Sequence, residues 1–330
     1  MLAYHSSRLA GFVGLPPSRA CLASESGEVG LWVQVLTELS LEGRQDVLQD
    51  SLKELHRFPR LEALQLDIRP YEGQLDLAGL QCLPALQRLR YKSDGDLKLW
   101  GGTLLPQLTS LVIEPMDHAM VDIDAALPSL QCLKVDVAAE VRLTGKRLHL
   151  PQLTRLDLEY IGSVSVNWPA LPQLAALTAR SCGRSITVEG LSSLGLLTSI
   201  TLGHFWHYWN ASDNLIKAAP PSVCSLSIIG ARLDWSRLPL FQCDYLPQLT
   251  SLSCCHLAII PHLTSLKQLQ RLEFPLCSAK DLTQEQVNCL SGMTRLKDVR
   301  FENQLDSKIA GARYIQVRSG AVVDLALCHC

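Results

Sequence analysis

His204 and His207 stand three residues apart in the run Gly203-His-Phe-Trp-His-Tyr-Trp-Asn210, and a second group of metal-ligand types is Cys328-His329-Cys330. Imidazole and thiolate both bind zinc, but a zinc site draws three or four protein ligands at regular spacing. Neither group is accompanied by further ligands of that kind, so no metal and no cofactor is expected. A nucleophile elbow, a phosphate loop, a metal-binding pair on a helix and a paired-carboxylate site are all missing from the sequence. The chain therefore reads as a non-enzyme; an enzyme with an unrecognised site is the rival, resting on His204 and His207. Of twelve cysteines, Cys254 replaces a core leucine of a repeated phrase, Cys182 and Cys277 stand three residues past a strand's last core position, and the rest fall at unrelated phases without a CxxC pair. Cysteine is a small apolar filler, so they read as reduced core residues of a cytoplasmic protein, with the nucleus or cilium as other settings. The single sequon Asn210-Ala-Ser212 carries little weight without a sign of secretion.

What remains with chemistry to offer is a set of charged and aromatic side chains, and their use depends on the elements that hold them. The phrase Leu150-Pro-Gln-Leu153-Thr-Arg-Leu156-Asp-Leu158 recurs along the chain. With its fourth residue as anchor, the copies stand at Leu36, Leu61, Leu86, Leu108, Leu130, Leu153, Leu174, Leu197, Val223, Leu249, Leu269 and Leu296, spaced 20 to 27 residues apart. A period in that range marks a solenoid whose units bury their apolar edges only by stacking. If the residues at anchor plus three and plus five point inward, strand alternation sends plus two, plus four and plus six to the concave face of a parallel sheet. Arg88, Arg90 and Lys92 then make a basic spot in the third repeat. Glu42 and Asp67 precede it, and Glu114, Asp136 and Glu159 continue an acidic plus-six row, with Asp157 at plus four. From the eighth to the tenth repeat the face becomes rich in hydroxyls: Ser199, Thr201, Ser225, Ser227, Ser251 and Ser253.

Four of the chain's 19 aromatic residues, Phe205, Trp206, Tyr208 and Trp209, lie within five positions of one 26-residue repeat. They either fold over a neighbouring repeat or project as a partner-binding anchor, since tryptophan and tyrosine dominate interface hot spots.

The back of the repeats changes along the chain. Val47, Leu48, Leu52 and Leu55 recur at helical spacing within Asp46 to His56. In the middle repeats short alternating pairs replace them: Leu75-Asp-Leu77, Leu97-Lys-Leu99, Val121-Asp-Ile123, Val141-Arg-Leu143, Val164-Ser-Val166 and Ile186-Thr-Val188. Period-two apolar pairs predict short β segments. A helical turn is expected in Ser212 to Ala219. Asp281 to Met293 predicts another helix, with Thr283 as N-cap and Gln286 completing a capping box. The expected organisation is an N-terminal segment 1–30 without fixed structure, a repeat domain 31–302 and a C-terminal cap 303–330. Residues 1 to 24 hold Arg8, Arg19 and several serines but no acid, a composition loosely like an organelle transit peptide. No apolar run approaches the roughly 18 residues that span a bilayer. A formal charge of -2 gives no basic face for nucleic acid or an acidic membrane.

The phrase Leu-x-x-Leu-x-Leu, as in Leu153, Leu156 and Leu158, resembles the leucine-rich repeat family over residues 33 to about 302. The resemblance implies an α/β solenoid of about 12 repeats with short β or irregular segments behind the middle repeats and helices near both ends. The family places Asn or Cys three residues past the last strand leucine. Cys182 and Cys277 match, whereas Arg69, Met116, Ala138 and Ile161 do not. The wording is similar to the repeat arrays of F-box proteins of plants and green algae, although residues 1 to 32 carry no F-box motif. It implies a protein-binding scaffold, with substrate recognition in a ubiquitin-ligase-type assembly as one role and a structural part in a cytoskeletal or ciliary assembly as the alternative.

Overall fold

Each motif proline disfavours helix in the residue before it and fixes its own φ, so it suits a turn that delivers the chain into a strand. The structure, a computed structural model, describes residues 36–68, 77–100, 105–115, 119–182, 185–203, 215–229, 246–275, 277–301 and 313–315. In it the anchor N–H closes that turn on the carbonyl three residues earlier, as in Leu61 to Phe58, Leu86 to Leu83, Leu153 to Leu150 and Leu249 to Leu246. The proline lies two residues before the anchor, at the turn's second position, where its fixed φ is favourable.

The anchor, plus-three and plus-five side chains then enter the core. All twelve anchors are buried, as are all twelve plus-three residues from Leu39 to Val299. The plus-five row is Leu66, Tyr91, Ile113, Val135, Leu158, Ala179, Leu202, Ile228, Cys254, Phe274 and Phe301, also buried. Only Leu41, at the start of that row, is half-exposed. Each fully buried leucine contributes roughly 1.5–3 kcal/mol, so these three rows dominate stability.

The chain forms two compact units, Met1–Gln173 and Leu174–Cys330. In the first, β1 (Glu38–Gly43), β2 (Ala63–Ile68), β3 (Arg88–Ser93), β5 (Ser110–Pro115), β7 (Cys132–Leu143) and β8 (Arg155–Val166) pair in parallel in that order. Register is kept throughout: plus three pairs with plus three from Leu39 through Leu64, Leu89, Leu111 and Leu133 to Leu156. Behind this row β4 (Leu97–Trp100), β6 (Met120–Asp124) and the second halves of β7 and β8 form a second parallel layer, aligning Leu97, Val121, Val141 and Val164. Those are the predicted back strands, and their apolar members are buried. The pair at Leu75 and Leu77 behaves otherwise: Leu77 opens a 3-10 helix, Leu77–Cys82, and Leu75 lies outside the described residues.

The second unit stacks β9 (Ala176–Arg180), β11 (Ser199–Gly203), β12 (Ser225–Ile229), β13 (Ser251–Cys254), β14 (Arg271–Phe274) and β15 (Asp298–Phe301) in parallel, with β16 (Arg313–Ile315) antiparallel to β15. A short β10 (Ser185–Ile186) falls at the predicted alternating pair. Phe274 and Phe301, register partners, stack with ring centroids 5.2 Å apart. One parallel strand per repeat, in register within each unit, is the pattern of a leucine-rich-repeat solenoid.

Both predicted terminal helices are present. Helix α1 (Gln45–Lys53) runs into a 3-10 turn, Leu55–Arg57, and buries Leu48, Leu52 and Leu55. Helix α2 (Gln284–Gly292) has the capping box: Thr283 Oγ1 accepts from the Gln286 N–H, and Gln286 Oε1 accepts from the Thr283 N–H. Residues 215–217 are helical with Leu215 and Ile216 buried. The expected terminal segments 1–30 and 303–330 lie almost entirely outside the described residues.

Leu156 is fully buried, so Leu156→Asp is expected to cost at least about 4 kcal/mol and abolish cooperative unfolding of the first unit in a thermal melt. A Cβ at Gly162 would stand 2.3 Å from the Ala139 carbonyl oxygen, whereas one at Gly195 meets nothing within 4 Å. Denaturant titration should therefore show Gly162→Ala destabilised by about 1–3 kcal/mol and Gly195→Ala within about 0.5 kcal/mol of wild type.

Candidate functional site: the outward face of the sheet

Alternation along each strand leaves plus two, plus four and plus six on the outward face, and these positions are half-buried or exposed almost everywhere. In the first unit the basic spot is present as read, but its charges are matched. Arg88 Nη2 reaches Glu38 Oε1 at 2.8 Å, two strands away. Glu38, Ala63 and Arg88 are successive register partners, so the guanidinium crosses the small Ala63. Arg90 makes a fork with Glu114, with contacts of 3.1, 2.9 and 2.9 Å. Lys92 lies 3.5 Å from its register partner Asp67. Exposed pairs of this kind are worth about 0.2–1 kcal/mol each, so they set charge pattern more than stability.

On β7 and β8 the pairs run both within and between strands. Lys134 Nζ is shared between Asp136 at 3.5 Å and Glu159 at 3.6 Å, while Arg155 Nε holds Asp157 Oδ2 at 2.7 Å. That hydrogen bond raises the Arg155 guanidinium above its ordinary value. Burial pushes the Asp136 carboxyl up, and the charges of Glu159 and Glu114 add to this against the pull of Lys134. Burial, then the Asp157 charge, also raises the neighbouring Cys132 thiol, which keeps it protonated and inert.

In the second unit the face is neutral from β11 to β13, as read. Ser199, Ser225 and Ser251 align in one row and Thr201, Ser227 and Ser253 in the next. On either side of that stretch the face is charged: Arg180 stands at plus six of β9, and on β14 and β15 Arg271 and Arg300 pair with Asp298 and Glu273. The aromatic candidates Phe205, Trp206, Tyr208 and Trp209, the histidines His204 and His207, and Cys328 to Cys330 lie outside the described residues. Among the described residues no group of three His, Cys, Asp or Glu could hold a metal ion, and no helix is long and apolar enough to cross a membrane.

Sequence reasoning missed Tyr160. It is 59% exposed, directly after Glu159. Its φ is 55°, and the equivalent plus-seven residues Val137 and Ser181 stand at 60° and 53°. The strand kinks at this position so that plus eight turns inward: Ala138, Ile161 and Cys182 are all buried there. The only signal in the sequence was the apolar character of plus eight in place of the expected Asn. Ties between repeats are also made by groups at other positions, alongside Cys277 at plus eight. Asp96 Oδ1 accepts the Met120 N–H at 2.8 Å and Asp124 Oδ1 the Arg147 N–H at 2.7 Å. In the second unit Cys277 donates to the Cys255 carbonyl at 3.2 Å, and Cys255 to that of Ile228 at 3.8 Å.

No protein-family profile matches the chain, and a search of curated proteins finds no match. Among solved structures it is similar to an internalin from Listeria monocytogenes, at 17% identity and a TM-score of 0.41, with 83% of each chain covered. It is also similar to a leucine-rich-repeat protein of Leptospira interrogans, at 16% identity and a TM-score of 0.32, covering 92% of this chain and 93% of that one. The fold assignment rests on the strand register itself.

Asp136 provides a stability test. Below its ordinary value of 3.8 the carboxyl is protonated in both states and costs nothing. As pH rises, the unfolded carboxyl ionises first, so stability falls until the folded group has ionised too. Near pH 7 Asp136→Asn should therefore melt higher than wild type, by on the order of 1–3 °C, and the advantage should vanish near pH 3.5. Calorimetry at the two pH values checks both parts.

Proposed function

We propose that this protein is a non-enzymatic scaffold that binds another protein through the outward sheet face of its first unit. The observation that carries this reading is the register of that face. Six parallel strands hold their plus-two, plus-four and plus-six side chains in three straight rows, on a framework fixed by the core behind them. A rigid, wide sheet with charges in fixed rows selects partners by complementarity and steers their approach. Nothing in its chemistry points to nucleic acid or a membrane surface. The resemblance to F-box repeat arrays suggests, as the specific role, substrate recognition in a ubiquitin-ligase-type assembly of the cytoplasm. In that role the chain should co-purify with ligase subunits; co-sedimentation with microtubules or axonemes would place it in a cytoskeletal or ciliary assembly instead.

Val112 lies at the middle of the face, with Arg90 and Lys134 as its register partners. Val112→Glu puts a polar group there while giving both cations a new neighbour, so the fold should be kept. Affinity purification from the native cell, read by mass spectrometry, is expected to lose its partner set with Val112→Glu and keep it with Trp206→Ala/Trp209→Ala. An unchanged set with Val112→Glu would overturn the assignment to this face, and loss with the tryptophan variant would move the site to the eighth repeat.

A further inference from the structure

We infer that Tyr160 is the aromatic anchor of the protein-binding face, seating an apolar side chain of the partner against its ring, with Val137 extending the seat. The inference rests on the scaffold reading above and names the point on that face where the partner's apolar contact falls.

The first ground is exposure. Among the described residues Phe58, Tyr91, Trp168, Phe274 and Phe301 are buried, whereas Tyr160 is 59% exposed, one residue past the plus-six row of the face. Its neighbour on the adjacent strand is apolar as well. Asp136 pairs with Glu159 and Ala138 with Ile161, so Val137 and Tyr160 stand at equivalent places on β7 and β8, and Val137 is half-buried. A single exposed apolar residue is ordinary on a protein surface. Two side by side, at the margin of a face rich in charge, make a local apolar seat. The second ground is the choice of residue. The kink at plus seven belongs to the fold, but left-handed backbone favours glycine or asparagine and penalises a bulky side chain. Tyr160 holds it at φ 55°, and Ser181, at the same place in its own repeat, shows that a small residue serves the kink. Tyrosine therefore adds strain while leaving most of its side chain in water, so neither the core nor the backbone accounts for it.

The third ground is preorganisation. Ladder pairs on both sides of the kink hold the backbone that carries the ring. A tyrosine has few side-chain torsions to fix, so an anchor on rigid backbone loses little entropy when a partner docks. The carboxylates next to the seat, Asp136 and Glu159, both reach Lys134. A surround of engaged polar groups about an apolar contact is the arrangement of an interface hot spot. It favours an apolar visitor over a cation, which would find those carboxylates already in use, and Val137 adds apolar area that a cation could not exploit.

The test pans a random displayed twelve-residue peptide library on the full-length chain, then measures selected peptides by fluorescence anisotropy. Selected peptides should share an aliphatic or aromatic position. Their affinity should fall at least about tenfold with Tyr160→Gly and stay within about twofold with Tyr160→Phe, which keeps the ring. Glycine adopts positive φ freely, so Tyr160→Gly is expected to melt within about 2 °C of wild type, which separates lost binding from lost fold. Tyr160→Ser, which repeats the residue type of Ser181, should act as Tyr160→Gly does. Peptides that lose affinity with Val112→Glu but are indifferent to Tyr160→Gly and Tyr160→Ser would overturn the anchor and leave the scaffold reading standing, as would peptides whose shared position is charged. Peptides indifferent to all three variants, or an empty selection, would overturn both.

Discussion

The interaction on which the rest of this structure depends is a shared backbone acceptor at the residue after each anchor. The Thr37 carbonyl accepts the N–H groups of both Glu62 and Ala63, and the same double bond repeats from Glu62 to Gln87 and Arg88, and from Gln87 to Thr109 and Ser110. It is found again at Thr198, Cys224, Thr250 and Gln270. Where plus one is threonine, its hydroxyl adds a third donor to the carbonyl of the repeat before, as from Thr109 to Gln87, Thr154 to Gln131 and Thr250 to Cys224. A slip by one residue would break both amide bonds and send the plus-three and plus-five side chains to the wrong face. The apolar rows and the polar rows are thus consequences of one lock, set immediately after the proline turn.

That lock explains how much could be read from residue types alone. Leucine at the anchor and plus three is a periodic demand of the core, so the twelve repeats, the back strands at Leu97, Val121, Val141 and Val164, and the Thr283 capping box were all visible. The pairing of charges was not. Whether Arg88 meets Glu38 depends on Ala63 being small enough to reach across, a fact about three strands at once. Nor could the missing asparagine be traced to its replacements. Asp96, Asp124 and the thiol of Cys255 occupy different phases of their repeats, so no periodic signal connects them.

Cysteine shows the same division between what a row demands and what a neighbour supplies. Cys254 fills the plus-five row where its neighbours are Ile228 and Phe274, and its burial raises the thiol far above the ordinary range. Cys255, one residue on, is buried as well but spends its thiol on a carbonyl of the preceding repeat. Both behave as packing and hydrogen-bonding groups, and none of the eight described cysteines is in a disulfide.

The left-handed backbone at Val137 and Tyr160 invites a functional explanation, since a β-branched or bulky residue at positive φ is strained. Its recurrence at Ser181 argues against one. Three repeats share the kink because each must turn its plus-eight residue into the core, so the strain is architectural. The unpartnered Oδ1 of Asp157 has no such excuse. At plus four, most other repeats place neutral residues: Ser40, Gln65, Val112, Thr178, Thr201, Ser227 and Ser253. Aspartate at 157 is buried deeper than any of them and brings an oxygen the fold does not satisfy. The core would be served as well by threonine there. A residue that costs stability and answers no demand of the repeat is where selection for something other than folding leaves its mark.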